Sequence, residues 1–460
     1  MEPIDIAYAG AAEQARLIRS GEVSSSEVVE ASLARIDAHD GLLNAFRVVL
    51  ADQARSEAKN ADSVRGEGNG PLHGVPIVIK DDTDVAGQAT LYGSNATDRT
   101  EKQNDAEVVR RLRAAGAIVI GKTNVPELTQ WPFTETEAFG VTRNPWSPGH
   151  TPGGSSGGTA AAVAAGFAGV GLGSDGGGSI RIPAACCGLF GIKPQRGRVP
   201  LAPKADGWHG LSVFGPIARS VEDGALFLDV VREHHTGELP FVQAVGADLG
   251  KLRVAFSTKP ALPGPVGQEQ KDAVAKIVGV LEKLGHSAEQ CDPSWGAVIP
   301  AFVPRYLRGI ADDARQAENF DALESRTKGM VRFAGLISDR RLQKAMDSEE
   351  KVAARLNGVF DDHDLLVTPA LAAQPLPIGR YANRGTIWTF NGVARFTPFT
   401  APYNVSGQPA VSVPAGFDSD GIPLAVQIVG PAGSEALLIS VSAQIEAASP
   451  WADRRPVLSV

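Results

Sequence analysis

The chain has 460 residues, enough to bury a large hydrophobic core, and its 43% hydrophobic and 21% charged residues are typical of a globular protein. The net charge is −8, with no run of Lys or Arg that would follow a phosphate backbone. This pattern argues against nucleic acid or an anionic membrane surface as the main partner. The N-terminus lacks the basic and apolar segments of a secretory signal, and the stretch 160–173 is too short and too rich in glycine to span a membrane.

Cysteine is rare, with three residues at 186, 187 and 291. Adjacent Cys186 and Cys187 are poorly placed to bridge each other, and no CxxC pair is present for zinc. We therefore expect a reduced, cytoplasmic compartment. We interpret Cys186 and Cys187 as small packing residues rather than nucleophiles.

The first part of the chain alternates between helical and strand-like patterns. Ser24 and Glu27 have the spacing of a capping box, ahead of apolar residues at helical spacing. The apolar runs 76–80 and 117–120 predict buried strands, and an amphipathic helix is expected at 105–115 between them. This alternation predicts an α/β protein, in which helices cover both faces of a sheet.

In the second half of the chain, a long charged segment is followed by further strand-like segments. Residues 240–350 are charged and poor in turn signals, which predicts an inserted helical cap. Strand-like pieces recur at 365–367, 410–413 and 424–429, and we expect them to complete the same sheet. Because the chain has no internal repeat and no low-complexity linker, we expect residues 1–460 to form a single domain.

Two glycine-rich segments, 153–158 and 171–183, match better-known motifs imperfectly. The first fits the G-x-S-x-G nucleophile elbow, but the elbow needs a preceding strand, and residues 144–152 contain three prolines. The second fits the dinucleotide fingerprint G-x-G-x-x-G, but lacks an acidic residue roughly 20 positions further on, and Pro183 interrupts the expected helix. Residues 325–328 fit S-x-x-K without its companion motifs. Glycines that only form tight turns remain an alternative.

Lys80 stands at the end of the predicted strand 76–80. One interpretation is a solvated strand terminus. The other is a buried lysine, whose pKa desolvation would lower from ~10.4 towards neutrality. A neutral amine of this kind is available as a base.

These features together resemble the amidase signature family of serine hydrolases. The 24 positions between Ser155 and Ser179 fit that family. The resemblance covers nearly the whole chain, through both glycine-rich segments and the motifs at 72–81, 121–124, 140–146, 215–223, 404–410 and 421–431.

The resemblance implies an α/β/α amidase-signature fold with a large mixed central sheet, and a Ser–cis-Ser–Lys triad. Ser179 is the expected nucleophile, Ser155 the proton relay preceded by a cis peptide, and Lys80 the base. A serine hydroxyl is a weak nucleophile until a base takes its proton. A hydroxyl between them can relay that proton because it both donates and accepts.

The glycines beside Ser179 are expected to form the oxyanion hole. Successive backbone N–H groups can bind the tetrahedral oxyanion without side chains in the way, and the candidates are Gly176, Gly177 and Gly178. Asp175 and Arg181 are predicted to pair and hold this loop, since two solvated charges are unexpected in so apolar a segment. Ser156 is expected to support the network by hydrogen bonding.

The expected activity is hydrolysis of a linear carboxylic amide, a small molecule, with no metal or organic cofactor. Thr129 and Trp131 are candidate substrate-binding residues, and Trp131, Phe133, Trp388 and Phe390 indicate an apolar or aromatic pocket, although core packing also explains them. A homodimer is possible. The alternatives are the glutaminase subunit of a tRNA-dependent amidotransferase and a non-catalytic scaffold; the three triad residues argue against the scaffold.

Overall fold

The computed structural model describes residues 2–64, 69–233 and 237–458. Within these ranges eleven strands form one sheet, and β4 and β5 form a separate hairpin. The strands are β1 (Phe46–Val49), β2 (Pro76–Lys80), β3 (Ile118–Thr123), β4 (Glu135–Thr136), β5 (Gly140–Val141), β6 (Val170–Asp175), β7 (Phe190–Lys193), β8 (Val213–Ala218), β9 (Arg253–Phe256), β10 (Ser287–Gln290), β11 (Leu365–Pro369), β12 (Ala410–Phe417) and β13 (Pro423–Val429).

The central sheet is mixed. Its strand order is β1-β3-β2-β6-β8-β7-β12-β13-β11-β9-β10. Strand β2 pairs in parallel with β3 and β6, and β9 pairs in parallel with β10 and β11. From β6 to β11 the neighbours are antiparallel, as are β1 and β3. The predicted α/β class and mixed sheet are confirmed.

Sixteen α-helices accompany the sheet in the part of the chain that the structure describes. They are α1 (Pro3–Tyr8), α2 (Ala11–Ser20), α3 (Ser25–Leu43), α4 (Ala51–Ser63), α5 (Glu107–Ala114), α6 (Gly157–Ala164), α7 (Arg181–Cys187), α8 (Val221–Val231), α9 (Gln268–Lys283), α10 (Val298–Arg315), α11 (Ser325–Ala334), α12 (Asp339–Asp347), α13 (Glu349–Asn357), α14 (Thr386–Phe396), α15 (Pro402–Val405) and α16 (Glu435–Ala448). Short 3₁₀ turns occur at Glu127–Thr129, Phe241–Ala244, Phe320–Ala322 and Gly358–Asp361. Ser24 and Glu27 form the predicted capping box of α3. None of the helices in the described ranges is both long and apolar enough to cross a membrane.

The alternation of side chains along β2 determines where Lys80 points. Ile77 and Ile79 belong to one hydrophobic core, which they share with residues of α2, α5, α8 and α9. Val78 belongs to the core on the other side, with residues of α3, α4, α6 and α7. Since side chains two apart in a strand share a face, Lys80 lies on the face of Val78. That face is covered by α6 and α7, the helices that follow the two glycine-rich segments.

The expected helical cap at 240–350 requires correction. Strands β9 and β10 extend the central sheet, and α9 packs against it. Strand β10 was missed because its sequence, Ser-Ala-Glu-Gln, is polar, as an edge strand can be. The helices α10 to α13, from residue 298 to 357, form the helical layer, and their core also includes Trp131 and Tyr403.

Candidate active site

Lys80 is fully buried at the end of β2, so the interpretation as a solvated strand terminus is wrong. Its Nζ lies 2.7 Å from Ser155 Oγ, 2.7 Å from Ser174 Oγ and 3.4 Å from Asp82 Oδ2. Burial lowers the pKa of Lys80 below its ordinary value, and the Asp82 carboxylate opposes that shift. The structure therefore places an amine of weakened basicity in direct contact with a serine hydroxyl.

Ser155 lies in the loop before α6, and the Gly154–Ser155 peptide is cis, as the resemblance implies. Glycine is needed at 154 because the loop passes very close to another backbone segment. A Cβ there would stand 2.5 Å from the Trp131 carbonyl oxygen. The glycine-rich sequence thus allows the loop to bring Ser155 against Lys80.

Ser156 joins the two glycine-rich segments. Its backbone N–H donates to the Ser179 carbonyl oxygen at 3.3 Å. Its hydroxyl donates to the Ser174 carbonyl oxygen and accepts from the Ser174 N–H. Ser156 thus connects the two segments through hydrogen bonds to backbone groups of Ser174 and Ser179. Among the described residues, no side-chain hydrogen bond joins Ser155 to Ser179.

Asp175 and Arg181 form the predicted pair, and both side chains are completely buried. The Arg181 guanidinium donates to both Asp175 oxygens, at 3.0 and 2.9 Å. It also donates to Thr400 O, Asn404 Oδ1 and Gln427 Oε1, so all of its hydrogen-bonding directions are used. Burial opposes ionisation of Asp175, but Arg181 and its hydrogen bonds hold the pKa of that carboxyl well below its usual range.

The oxyanion-hole prediction needs one correction. The Gly178 N–H donates to Asp175 Oδ1 at 2.7 Å, so it is already engaged. In the described structure, no hydrogen bond engages the N–H groups of Gly176, Gly177 and Ser179. Gly178 instead serves the turn, with a φ of 130° and Thr400 Oγ1 only 2.4 Å from where a Cβ would stand.

An apolar cavity of about 390 Å³ opens beside Ser179. The predicted residues Thr129, Trp131 and Phe390 line it, whereas Phe133 is buried in the core and Trp388 lies outside, 47% exposed. The sequence did not reveal the other aromatic residues of its wall, which are Trp208, Phe302 and Tyr306.

Two of these rings pack directly on the glycines next to Ser179. A Cβ on Gly176 would lie 2.8 Å from the Trp208 ring, and one on Gly177 would lie 3.1 Å from Phe302. The position of the Trp208 ring is fixed by a hydrogen bond, which its Nε1–H donates to Asp313 Oδ2 at 2.8 Å. The cavity wall and the loop that carries Ser179 are therefore a single packed unit.

The turn Glu127–Thr129, in which Thr129 lines the cavity, is held in place by two buried acidic residues, Glu127 and Glu324. Glu127 accepts from Ser94 Oγ at 2.6 Å and from the Glu324 N–H at 2.9 Å. Burial and the nearby Glu127 carboxylate raise the pKa of Glu324 to about 7. The two acids connect this segment to the start of α11.

The remaining observations concern the cysteines, the residues that could bind a metal, and a carboxylate beside Lys80. Cys186 and Cys187 are buried, and burial raises both thiol pKa values, which agrees with a packing role. Within the described ranges, His, Cys, Asp and Glu do not gather into a group that could hold a metal ion. Asp82 was missed because β2 ends at Lys80 and residue 82 lies in the turn that follows, where no strand period applies.

Comparison with known proteins identifies the class of enzyme to which this fold and site belong. Residues 27–439 match the family model described as Amidase. A relative named "Putative amidase AmiB2", from Mycobacterium tuberculosis, is 50% identical over 463 residues, covering 100% of both chains. A structure of 6-aminohexanoate cyclic dimer hydrolase complexed with substrate superposes with a TM-score of 0.91 at 34% identity, covering 98% of this chain and 99% of that one.

A bacterial aryl acylamidase of the amidase signature family superposes with a TM-score of 0.87 at 29% identity, covering 96% of each chain. The chain belongs to the Amidase family, the amidase signature hydrolases.

The buried pair gives a stability prediction. Arg181→Met leaves the Asp175 carboxylate buried without its cation, so we expect a loss of about 3–5 kcal/mol in the free energy of unfolding. The control Arg253→Met breaks the exposed Arg253–Asp364 pair and should cost less than about 1 kcal/mol. Chemical denaturation measures both, and equal effects would contradict the account.

The acid pair gives a pH prediction. The pKa of Glu324 is raised in the folded state, so its contribution to stability is present at low pH and is lost as pH rises through about 7. Glu324→Gln keeps the acceptor for the Glu137 N–H and removes the charge repulsion. We expect a higher melting temperature than wild type at pH 8 and little difference at acid pH. The exposed Glu318→Gln is the control, and a Glu324→Gln effect that does not depend on pH would refute this explanation.

Proposed function

We propose that this amidase hydrolyses carboxylic amides through an acyl-enzyme on Ser179, with Ser155 as proton relay and Lys80 as base. The observation that supports it most strongly is the 2.7 Å contact between the fully buried Lys80 amine and Ser155 Oγ. A lysine can act as a base only when neutral, and burial favours that form.

Acylation begins when the Ser179 hydroxyl attacks the amide carbon. Its proton passes to Ser155, and the Ser155 proton passes to Lys80. The oxygen of the tetrahedral intermediate takes up hydrogen bonds from the free N–H groups at Gly176, Gly177 and Ser179. Losing one such donor typically costs about 100- to 1000-fold in rate.

The same relay completes the cycle. Protonated Lys80 returns its proton through Ser155 to the leaving nitrogen, so that ammonia or an amine departs from the acyl-enzyme. Water then attacks the ester and gives its proton to Lys80 by the same route. The bond between the acyl carbon and Ser179 Oγ then breaks, and Lys80 returns its proton through Ser155 to that oxygen, which restores the hydroxyl. The carboxylic acid product ionises to the carboxylate as it leaves.

The cavity favours a neutral, apolar substrate. Its described lining contains no acidic side chain, and the single charge is Arg395, an exposed residue. A substrate ammonium would find no counter-charge there, which weakens the glutaminase alternative, since glutamine carries one. Because one structural relative is named for hydrolysis of a cyclic dimer, we do not restrict the substrate to linear amides. We also propose a cytoplasmic location, where the three free cysteines stay reduced.

Substitution of the nucleophile and base tests the mechanism. Ser179→Ala should lower kcat by about 10⁴-fold or more and abolish labelling by a fluorophosphonate probe. Lys80→Met keeps the apolar stem without the amine and should lower kcat about 10²–10⁴-fold. Lys283→Met, on the exposed face of α9, is the control. Near-normal activity of Lys80→Met at neutral pH would exclude Lys80 as the base.

Widening the cavity tests the substrate side. Trp208→Ala removes an aromatic wall, so the ratio of kcat/KM for a bulky aryl amide to that for a short aliphatic amide should rise about 10-fold. Trp388→Ala, outside the cavity, is the matched control and should leave the ratio unchanged. The experiment is a substrate panel with both variants, and equal ratios in both would show that this cavity does not hold the substrate.

A further inference from the structure

The environment of Lys80 contains a second hydroxyl and a carboxylate that the triad does not use. Ser174 Oγ donates to Asp82 Oδ2 at 2.5 Å and lies 2.7 Å from Lys80 Nζ. Asp82 Oδ2 is itself 3.4 Å from that nitrogen. Lys80, Ser174 and Asp82 thus form a second chain of polar contacts in addition to the contact between Lys80 and Ser155.

We propose that Asp82 is a positioning residue, which acts through Ser174 to orient the Lys80 amine and through its charge to set how readily that amine becomes neutral. The proposal rests on the proposed function in one respect, namely that Lys80 is the base.

The orientation argument follows from counting protons. The Ser174 hydroxyl has one proton, and the short contact commits it to the Asp82 carboxylate. Ser174 Oγ can then only accept from Lys80, so one Lys80 N–H points to Ser174. The Ser174 carbonyl oxygen and Asp82 Oδ2, each 3.4 Å from Nζ, are the acceptors for a second N–H. In neutral Lys80 the remaining direction is the lone pair, and the remaining partner is the Ser155 hydroxyl.

The charge argument concerns the same carboxylate. Burial lowers the pKa of Lys80, whereas the charges of Asp82 and Asp175 raise it. Lys204 acts in the opposite direction on Lys80, and with Lys80 it keeps the pKa of Asp82 below its ordinary value despite burial. The Asp82 carboxylate and the Lys204 ammonium therefore act on the protonation of Lys80 in opposite directions.

The other titratable groups near this pair lie around Lys204. Lys204 Nζ sits 4.9 Å from the centre of the Tyr92 ring, and Tyr92 and Asp313 both favour its charged form. Removing Asp82 and removing Lys204 should therefore change the protonation of Lys80 in opposite directions. A merely structural role for either residue predicts no such opposition.

The experiment measures kcat/KM, and the rate of Ser179 labelling by a fluorophosphonate, across pH. The acid limb of kcat/KM reports the ionisation of the base in the free enzyme. Asp82→Asn removes the charge but keeps an acceptor for Ser174, so the limb should move about one pH unit lower, tenfold in the ionisation constant, with the plateau nearly retained. Asp82→Ala also loses the acceptor, so its plateau should fall as well, about tenfold or more.

Lys204→Met supplies the opposing result, a limb shifted to higher pH, and Lys204→Arg should restore the wild-type profile. An unchanged limb in Asp82→Asn, or shifts in the same direction for Asp82→Asn and Lys204→Met, would overturn the proposal. If Asp82→Asn fails to fold, the pH profiles of the two variants Lys204→Met and Lys204→Arg still test the proposal. An active Lys80→Met enzyme would instead refute the base assignment, and it is a separate measurement.

Discussion

The amine of Lys80 is withdrawn completely from water at the end of a central strand, and much of the site follows from that constraint. A buried amine must find its partners within the protein, and here they are two serine hydroxyls and a carboxylate. Each partner comes from a different part of the chain, from the loop before α6, from the end of β6 and from the residues after β2. The glycine-rich sequences let these segments approach closely enough to meet the amine.

The second constraint is the buried pair of Asp175 and Arg181. The Asp175 carboxylate accepts hydrogen bonds from the Gly178 N–H and from two N–H groups of the Arg181 guanidinium. These bonds fix the turn that carries Ser179. Arg181 extends this network to α15 through Asn404 and to β13 through Gln427. A strong electrostatic interaction thus holds the turn between β6 and α7. Among the described residues, the N–H groups of Gly176, Gly177 and Ser179 have no hydrogen-bond partner.

Features with a local cause could be predicted from the sequence. The continuous apolar run of β2, the capping box of Ser24 and the pairing of an isolated Asp175 with Arg181 all depend on nearby residues or on composition. Strand β10 could not be recognised, because it is polar and gains its strand character only from pairing with β9. The engagement of the Gly178 N–H depends on the rotamer of a neighbouring side chain, which sequence does not specify.

The aromatic wall shows the same limit. Trp208 and Phe302 lie far from Ser179 in the chain, and only tertiary packing brings them onto Gly176 and Gly177. Asp82 is similar, since it lies in the turn after β2, and the course of that turn brings its carboxylate to Lys80.

The central claim is a covalent acyl-enzyme on Ser179, and trapping that species tests it most directly. The enzyme would be quenched in acid during turnover of an apolar amide and digested, and the acylated peptide would be sequenced by mass spectrometry. The account predicts that the acyl group is found on Ser179 and is absent from Lys80→Met under the same conditions. An acyl group on Ser155 or another residue, or full turnover with no acylated peptide, would contradict it.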